Sequence, residues 1–158
     1  MLRRHVAAAR LSSISTRSLS LGEALQRSES FCRRKPGGDA LRIDSGASLA
    51  SAARHIVDAE QPLLVVTGDR VVGVVTEREI LRGAVRGATS VSDVFLPMQS
   101  ITPNTPIHQA LKLMVSADLL PVADPESGQT SLLTRLDLLA VQHDLLKEAI
   151  AESTIHDG

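Results

Sequence analysis

PLLVVTGDRVVGVVTEREILRGAVRG, residues 62–87, reads as strand, turn, strand and helix. Leu63–Val66 and Val71–Val75 are short apolar runs rich in β-branched residues, and Thr67-Gly68-Asp69-Arg70 between them carries hairpin punctuation. Thr76-Glu77-Arg78-Glu79 follows at once, a threonine able to accept from the exposed N–H groups of a helix start with a carboxylate three residues on. Ile80, Leu81, Ala84 and Val85 set one helical face, Arg78, Arg82 and Arg86 another, and Gly87 is placed to stop the helix.

The unit occurs twice. From Leu119 the chain gives a second apolar run, a turn at Asp124–Gln129, a run ending Leu132-Leu133, and Thr134, which falls 58 positions after Thr76. The preceding helix recurs too. Ser48 caps a stripe of Leu49, Ala52, Ala53, Ile56 and Val57; at an offset of 57, Thr105 caps one of Ile107, Ala110, Leu111 and Met114, with Pro106 at the first helical position. Each helix has a short approach segment, Arg42-Ile43 for the first and Ser100-Ile101-Thr102-Pro103 for the second. Two agreeing offsets mark an internal repeat.

In this order and spacing, Val72-Gly73-Val74-Val75-Thr76-Glu77-Arg78-Glu79 and Leu133-Thr134-Arg135-Leu136-Asp137 resemble the tandem cystathionine β-synthase (CBS) domain pair, or Bateman module, over roughly residues 39–150. Ser92-Asp93-Val94-Phe95 resembles the family's lead-in to its second domain, with Phe95 where methionine is usual. The resemblance implies an α+β fold of two β-α-β-β-α repeats related by pseudo-twofold symmetry and preceded by a disordered leader, assembled as a disc-like homodimer. The expected division is a leader and linker at 1–38, repeats at 39–90 and 91–150, and a frayed tail at 151–158.

Of 158 residues 43% are hydrophobic, yet aromatics are 1%, Phe31 and Phe95 alone. The core must be aliphatic, and modules that stack bases on aromatic platforms are disfavoured. Residues 1–35 hold eight basic residues against Glu23 and Glu29, together with seven serines. Arg3, Arg10 and Arg17 would line one side of a helix and Leu2, Val6 and Ala9 another. That is transit-peptide composition, read as mitochondrial because arginines begin right after Met1, with chloroplast as the alternative and a basic tail as the plain one. Without these residues, the chain's 17 basic and 18 acidic residues fall to 9 and 16, a formal charge near −7, unsuited to nucleic acid. No apolar run is long enough for a membrane span. The lone Cys32 lies at the leader's edge, so a processed form is expected to lack it.

A ribose cis-diol offers two donors that one carboxylate can accept together, and helix-start N–H groups favour anions. The resemblance assigns the aspartate of T-x-x-D to the ribose and the threonine to the phosphate side, which here means Asp137 and Thr134. Thr76 matches as well, but Glu79 replaces the aspartate, and T-x-x-E equally spells a capping box. Arg78, Arg82 and Arg86, spaced by four, are candidate phosphate anchors, chiefly Arg78 and Arg82, though such a row also fits a solvated helix face, and Arg135 just before Leu136-Asp137 is a further candidate. For adenine the resemblance points to the approach segments and strands, with Ile43, Ile101, Leu120 and Val122. The five histidines are scattered, Gly68 and Gly73 are isolated, and no nucleophile, metal or cofactor constellation stands out, so the chain reads as a non-enzyme requiring no cofactor. A small pair standing alone behind a leader resembles the plant-type organellar CBS class, and the function this resemblance implies is regulatory: sensing of an adenosine-containing ligand (AMP first, then ADP, ATP or S-adenosylmethionine) and modulation of a partner, a thioredoxin or another regulated enzyme. The alternative is a dimeric interaction scaffold with vestigial pockets.

Overall fold

A computed structural model of the chain describes residues 19–34 and 39–157. In chain order the elements are α1 (Leu21–Arg27), α2 (Glu29–Arg34), β1 (Arg42–Asp44), α3 (Leu49–Ala59), β2 (Leu63–Thr67), β3 (Arg70–Val75), α4 (Glu77–Val85), β4 (Leu96–Pro97), α5 (Ile107–Ser116), β5 (Leu119–Ala123), β6 (Thr130–Thr134) and α6 (Arg135–Asp157), with a 3₁₀ turn at Val91–Asp93. They form two compact units, one of residues 39–100 and the other of the N-terminal helices with residues 101–158. The amphipathic pattern read at Leu2–Arg17 lies outside the described residues.

In the unit 39–100, β2 lies between β1, parallel to it, and β3, antiparallel to it, and β4 extends the sheet beyond β3. Leu63, Leu64 and Val65 are all fully buried, which is why this strand reads as a continuous apolar run rather than an alternating one. The hairpin turns at Gly68, whose φ of +62° favours glycine. Ile43, Ala52, Ile56, Leu63, Val65, Val75 and Val91 make the core. Residues 91–98, expected with the second repeat, belong here: Val91 is fully buried and Leu96 pairs with Val74. Glycine at 73 makes this pairing possible, because the Leu96 carbonyl and the Phe95 ring occupy the space a Cβ would need.

In the other unit β5 and β6 form the antiparallel ladder, Leu119 opposite Thr134 and Ala123 opposite Thr130. The approach segment contributes a single parallel bridge between Ile101 and Val122. Pro106 occupies the cap position of α5 rather than its first turn, while Thr105 Oγ1 accepts from Thr102 N–H in the preceding turn. Ile107, Ala110 and Met114 are therefore buried in register with Leu49, Ala52 and Ile56, and the helix offset is 58 rather than 57.

The larger correction concerns the leader, of which residues 19–34 are folded. Leu21 and Ala24 are fully buried in the core with Ile107, Leu120, Leu133 and Leu138. Ile107 N–H donates to Leu19 O at 3.0 Å, and Leu21 N–H to Thr105 O at 2.7 Å. The same two bonds recur in the unit 39–100, where Leu49 N–H donates to Thr89 O and Val91 N–H to Ala47 O, both at 2.9 Å. Residues 19–25 thus do for the second repeat what 89–95 do for the first: a capping serine, Ser20 or Ser90, then a short helical turn. Cys32 accordingly stays with the fold, exposed on α2.

Asp144 of α6 fastens these helices. Its carboxylate accepts from Ser28 Oγ at 2.7 Å, Ser30 N–H at 3.0 Å and Ser30 Oγ at 3.1 Å. The Ser28 hydroxyl above all, then the Ser30 N–H, lower its pKa from 3.8 to about 2. The expected tail is helical as well, since α6 meets no Gly or Pro before Asp157.

Two outcomes follow for stability. Gly73→Ala should cost about 1–3 kcal/mol in urea unfolding, as added volume meets backbone that cannot yield. For Asp144 the folded pKa lies below the unfolded one, so its contribution is present in full above about pH 4 and is lost as pH falls toward 2. Asp144→Asn should therefore lower stability at pH 7 and flatten its decline across that window, as read from melts at stepped pH.

Candidate ligand site

Each T-x-x-acid segment sits where the last strand of a hairpin becomes a helix. Thr134 closes β6 opposite Leu119, and Thr76 follows Val75, which faces Leu63. The approach strands flank the same hairpins: Ile43 pairs with Val65, and Ile101 N–H donates to Pro121 O at 2.9 Å while Ala123 N–H donates back to Ile101 O at 2.8 Å. Fold connectivity, not chain proximity, thus joins each approach segment to the sheet that ends in its threonine.

Both acids are buried, Glu79 at 5% and Asp137 at 6% exposure, and both turn back on their own helix start. Asp137 Oδ2 accepts from Thr134 N–H at 2.9 Å, and Thr134 Oγ1 accepts from Asp137 N–H at 3.1 Å, a reciprocal capping box. At the first repeat Glu79 Oε2 accepts from Thr76 N–H at 2.8 Å and also from the Thr76 hydroxyl. The extra methylene of glutamate lets one oxygen reach both groups. Both threonine oxygens accept from the N–H of their acid; the difference is that the Thr76 hydroxyl also gives its proton to its own carboxylate, whereas Thr134 keeps a proton to donate. A phosphate or sugar oxygen would find a donor at Thr134 and none at Thr76.

The other candidates separate. Arg78 and Arg82 are exposed on α4. Arg135 is engaged within its own unit: its guanidinium lies 3.1 Å from Asp118 Oδ1 and donates to Met114 O at 3.2 Å, satisfying a carbonyl in the last turn of α5. Ile43, Leu120 and Val122 are buried core residues, and Ile101 is half-buried against the same core as Leu120 and Val122. Their side chains hold the sheets together, so the surface an adenine could use at these positions is backbone and strand edge. Among the described residues no three His, Cys, Asp or Glu side chains gather as a metal site, and no helix is long and apolar enough to cross a membrane. Sequence reasoning missed the Ser28–Ser30–Asp144 cluster, whose one available signal was two serines spaced by two.

The model of the CBS domain family matches residues 35–86, the first repeat. Solved structures align with both repeats. A protein with CBS domains from Burkholderia ambifaria aligns at TM-score 0.57 and 22% identity, covering 76% of this chain and 90% of that one. The chain has the fold of a CBS-domain pair. Two further CBS pairs were solved with ligands. CBSX2 in complex with AMP aligns at TM-score 0.56 and 17% identity over 77% of this chain and 94% of its own. The CBS pair of protein MJ0100, with 5′-methylthioadenosine and S-adenosyl-L-methionine, aligns at 0.56 and 17% over 68% and 90%. The CBSX2 protein is also solved from Arabidopsis thaliana. No curated protein matches the sequence.

The arginines of the chain should divide by what they touch. Arg135→Ala removes a helix-end contact and an ion pair and should lower stability by about 1 kcal/mol. Arg78→Ala and Arg82→Ala should each stay within about 0.5 kcal/mol of the parent by thermal unfolding.

Proposed function

We propose that this CBS pair is a regulatory module that binds one adenosine-containing ligand, AMP first, through the second repeat, and passes its occupancy to a partner protein. The observation that carries the reading is the difference between the two threonines. Thr134 keeps a hydroxyl proton beside a buried aspartate, as the T-x-x-D pattern requires, while Thr76 is closed on Glu79. The adenosine-type ligands of CBSX2 and of MJ0100 support the class.

Self-association as a homodimer is part of the proposal. The apolar side of α4 faces outward, with Leu81 66% and Val85 88% exposed, and α6 presents Leu136, Leu139, Leu146 and Ile150 in the same way. An amphipathic helix that turns this side outward needs a covering partner. A thioredoxin or another regulated enzyme remains the proposed recipient of the signal, and the mitochondrion the proposed location. Since residues 19–34 are folded, any presequence would have to be removed upstream of Leu19.

A second reading rests on the same hydrogen bonds. Both acids are used as caps, which suits a scaffold whose sites no longer bind. Thermal shift with AMP, ADP, ATP and S-adenosylmethionine separates the two. A binder should gain about 2.7 kcal/mol at a hundredfold excess over its dissociation constant. Asp137→Asn should abolish the gain and Glu79→Gln should spare it. No shift with any of the four would leave the scaffold, and a gain surviving Asp137→Asn would remove the ribose contact from this residue.

A further inference from the structure

The cluster that locks α1 and α2 onto α6 has properties a static fastening does not need. Ser30 is half-buried and lines two adjoining surface hollows, one with Arg27, Glu29, Arg33, Asp144, Lys147 and Glu148, the other with Arg33, Leu136, Leu139 and Ala140. Its hydroxyl donates to Asp144 Oδ1, a carboxylate ionised at any physiological pH. His143 Nδ1 lies 3.6 Å from the same oxygen. Ser28, by contrast, is fully buried and offers nothing to an approaching enzyme. Three residues before Ser30 stands Arg27, the spacing that arginine-directed serine kinases read, and the two helices carrying this stretch have only 7 and 6 residues.

The geometry points to Ser30 as a phosphorylation site whose modification releases the N-terminal helices from the second repeat. In the step itself Ser30 Oγ attacks the γ-phosphorus of ATP, the bond from that phosphorus to the bridging oxygen of ADP breaks, and the hydroxyl proton passes to the kinase's base. The product reverses the sign of one contact. A donor to Asp144 becomes a group of charge about −1.5 to −2, set against the carboxylate that the hydroxyl had faced at 3.1 Å. Arg27 and Arg33 lie on the same helices as Ser30 and travel with it, so they can pair with the phosphate after release, while Lys147 on α6 offsets part of the repulsion before it. Glu29 and Glu148 on the same rim add to the repulsion and oppose a return. Because Leu21 and Ala24 are fully buried in the second repeat's core, release of α1 would open that repeat and not the unit 39–100. The inference is independent of ligand binding and stands or falls without it.

The test uses the full chain, the catalytic subunit of cyclic-AMP-dependent kinase as an arginine-directed probe, and magnesium ATP. Peptide mass spectrometry should place one phosphate on Ser30 in the parent and none there in Ser30→Ala. Trypsin should then cut after Arg27 and Arg33 about tenfold faster in the phosphorylated chain, while Ser30→Ala, which loses one hydrogen bond, changes the rate far less. On an Asp144→Asn background the phosphate should add little to the cleavage rate, since the opposing charge is gone. Absence of phosphate from Ser30, or a phosphate there with unchanged cleavage, overturns the proposal.

Discussion

The structure depends on a pair of backbone hydrogen bonds made twice. The residue that opens the first helix of each repeat, Leu49 or Ile107, gives its N–H to a lead-in strand from elsewhere in the chain, and that strand returns an N–H two residues later. These are orphan donors of a helix start, and leaving them buried without partners would cost more than either bond is worth when made. A lead-in must therefore be present, and it brings apolar residues with it. Val91 fills the first core, and Leu21 and Ala24 fill the second. In the second repeat the lead-in comes from more than 80 residues upstream, so what composition marks as a tail is part of a hydrophobic core.

The same economy governs the candidate site. A T-x-x-acid segment at a strand-to-helix junction serves first as a capping box, and any ligand contact is added to that role. Capping and binding are compatible as long as the threonine keeps a proton and the acid is not consumed. The two acids differ in what they take from their threonine: Asp137 accepts from the Thr134 N–H, while Glu79 accepts from both the N–H and the hydroxyl of Thr76. The two halves, alike in element order and in the 58-residue offset of their buried residues, thus differ in the hydrogen bonds at their T-x-x-acid helix starts.

Much of this was legible in the sequence. The hairpins at Leu63–Val75 and Leu119–Thr134, the helix starts at Thr76 and Thr134, and the repeat itself follow from local periodicity and turn chemistry, which the fold leaves intact. The cap of α5 was misplaced by one residue, because Thr105 and Pro106 both suit a helix start and only tertiary contacts choose between them. The lead-in at 19–34 was hidden by its arginines and serines. Its signal is three apolar positions, Leu19, Leu21 and Ala24, too few for a period, and its partners lie far away in the chain. The clasp on Asp144 was equally out of reach, since a hydrogen bond spanning 116 residues leaves no local trace. Arg135 is the opposite case: the cation beside the motif was legible, but its contacts with Asp118 and Met114 O, across the fold of its own unit, were not.

The apolar face of α4 shows how far such reading reaches. Ile80, Leu81, Ala84 and Val85 form a regular stripe, and a stripe on a helix normally marks the core side. Here the buried residues are Glu79 and Gly83, the acid because it must reach its threonine and the glycine because Val94 and Leu49 press against it. Once those two positions face inward, helix geometry turns Leu81 and Val85 out, and 58 residues later Leu139 is likewise exposed. On α4 the inward side thus carries the capping acid with Ile80 half-buried beside it, whereas on α6 Leu138 and Val141 are buried along with Asp137. That leaves Leu81, Val85 and Leu139 exposed along the outer face of the two helices whose first turns carry the T-x-x-acid segments.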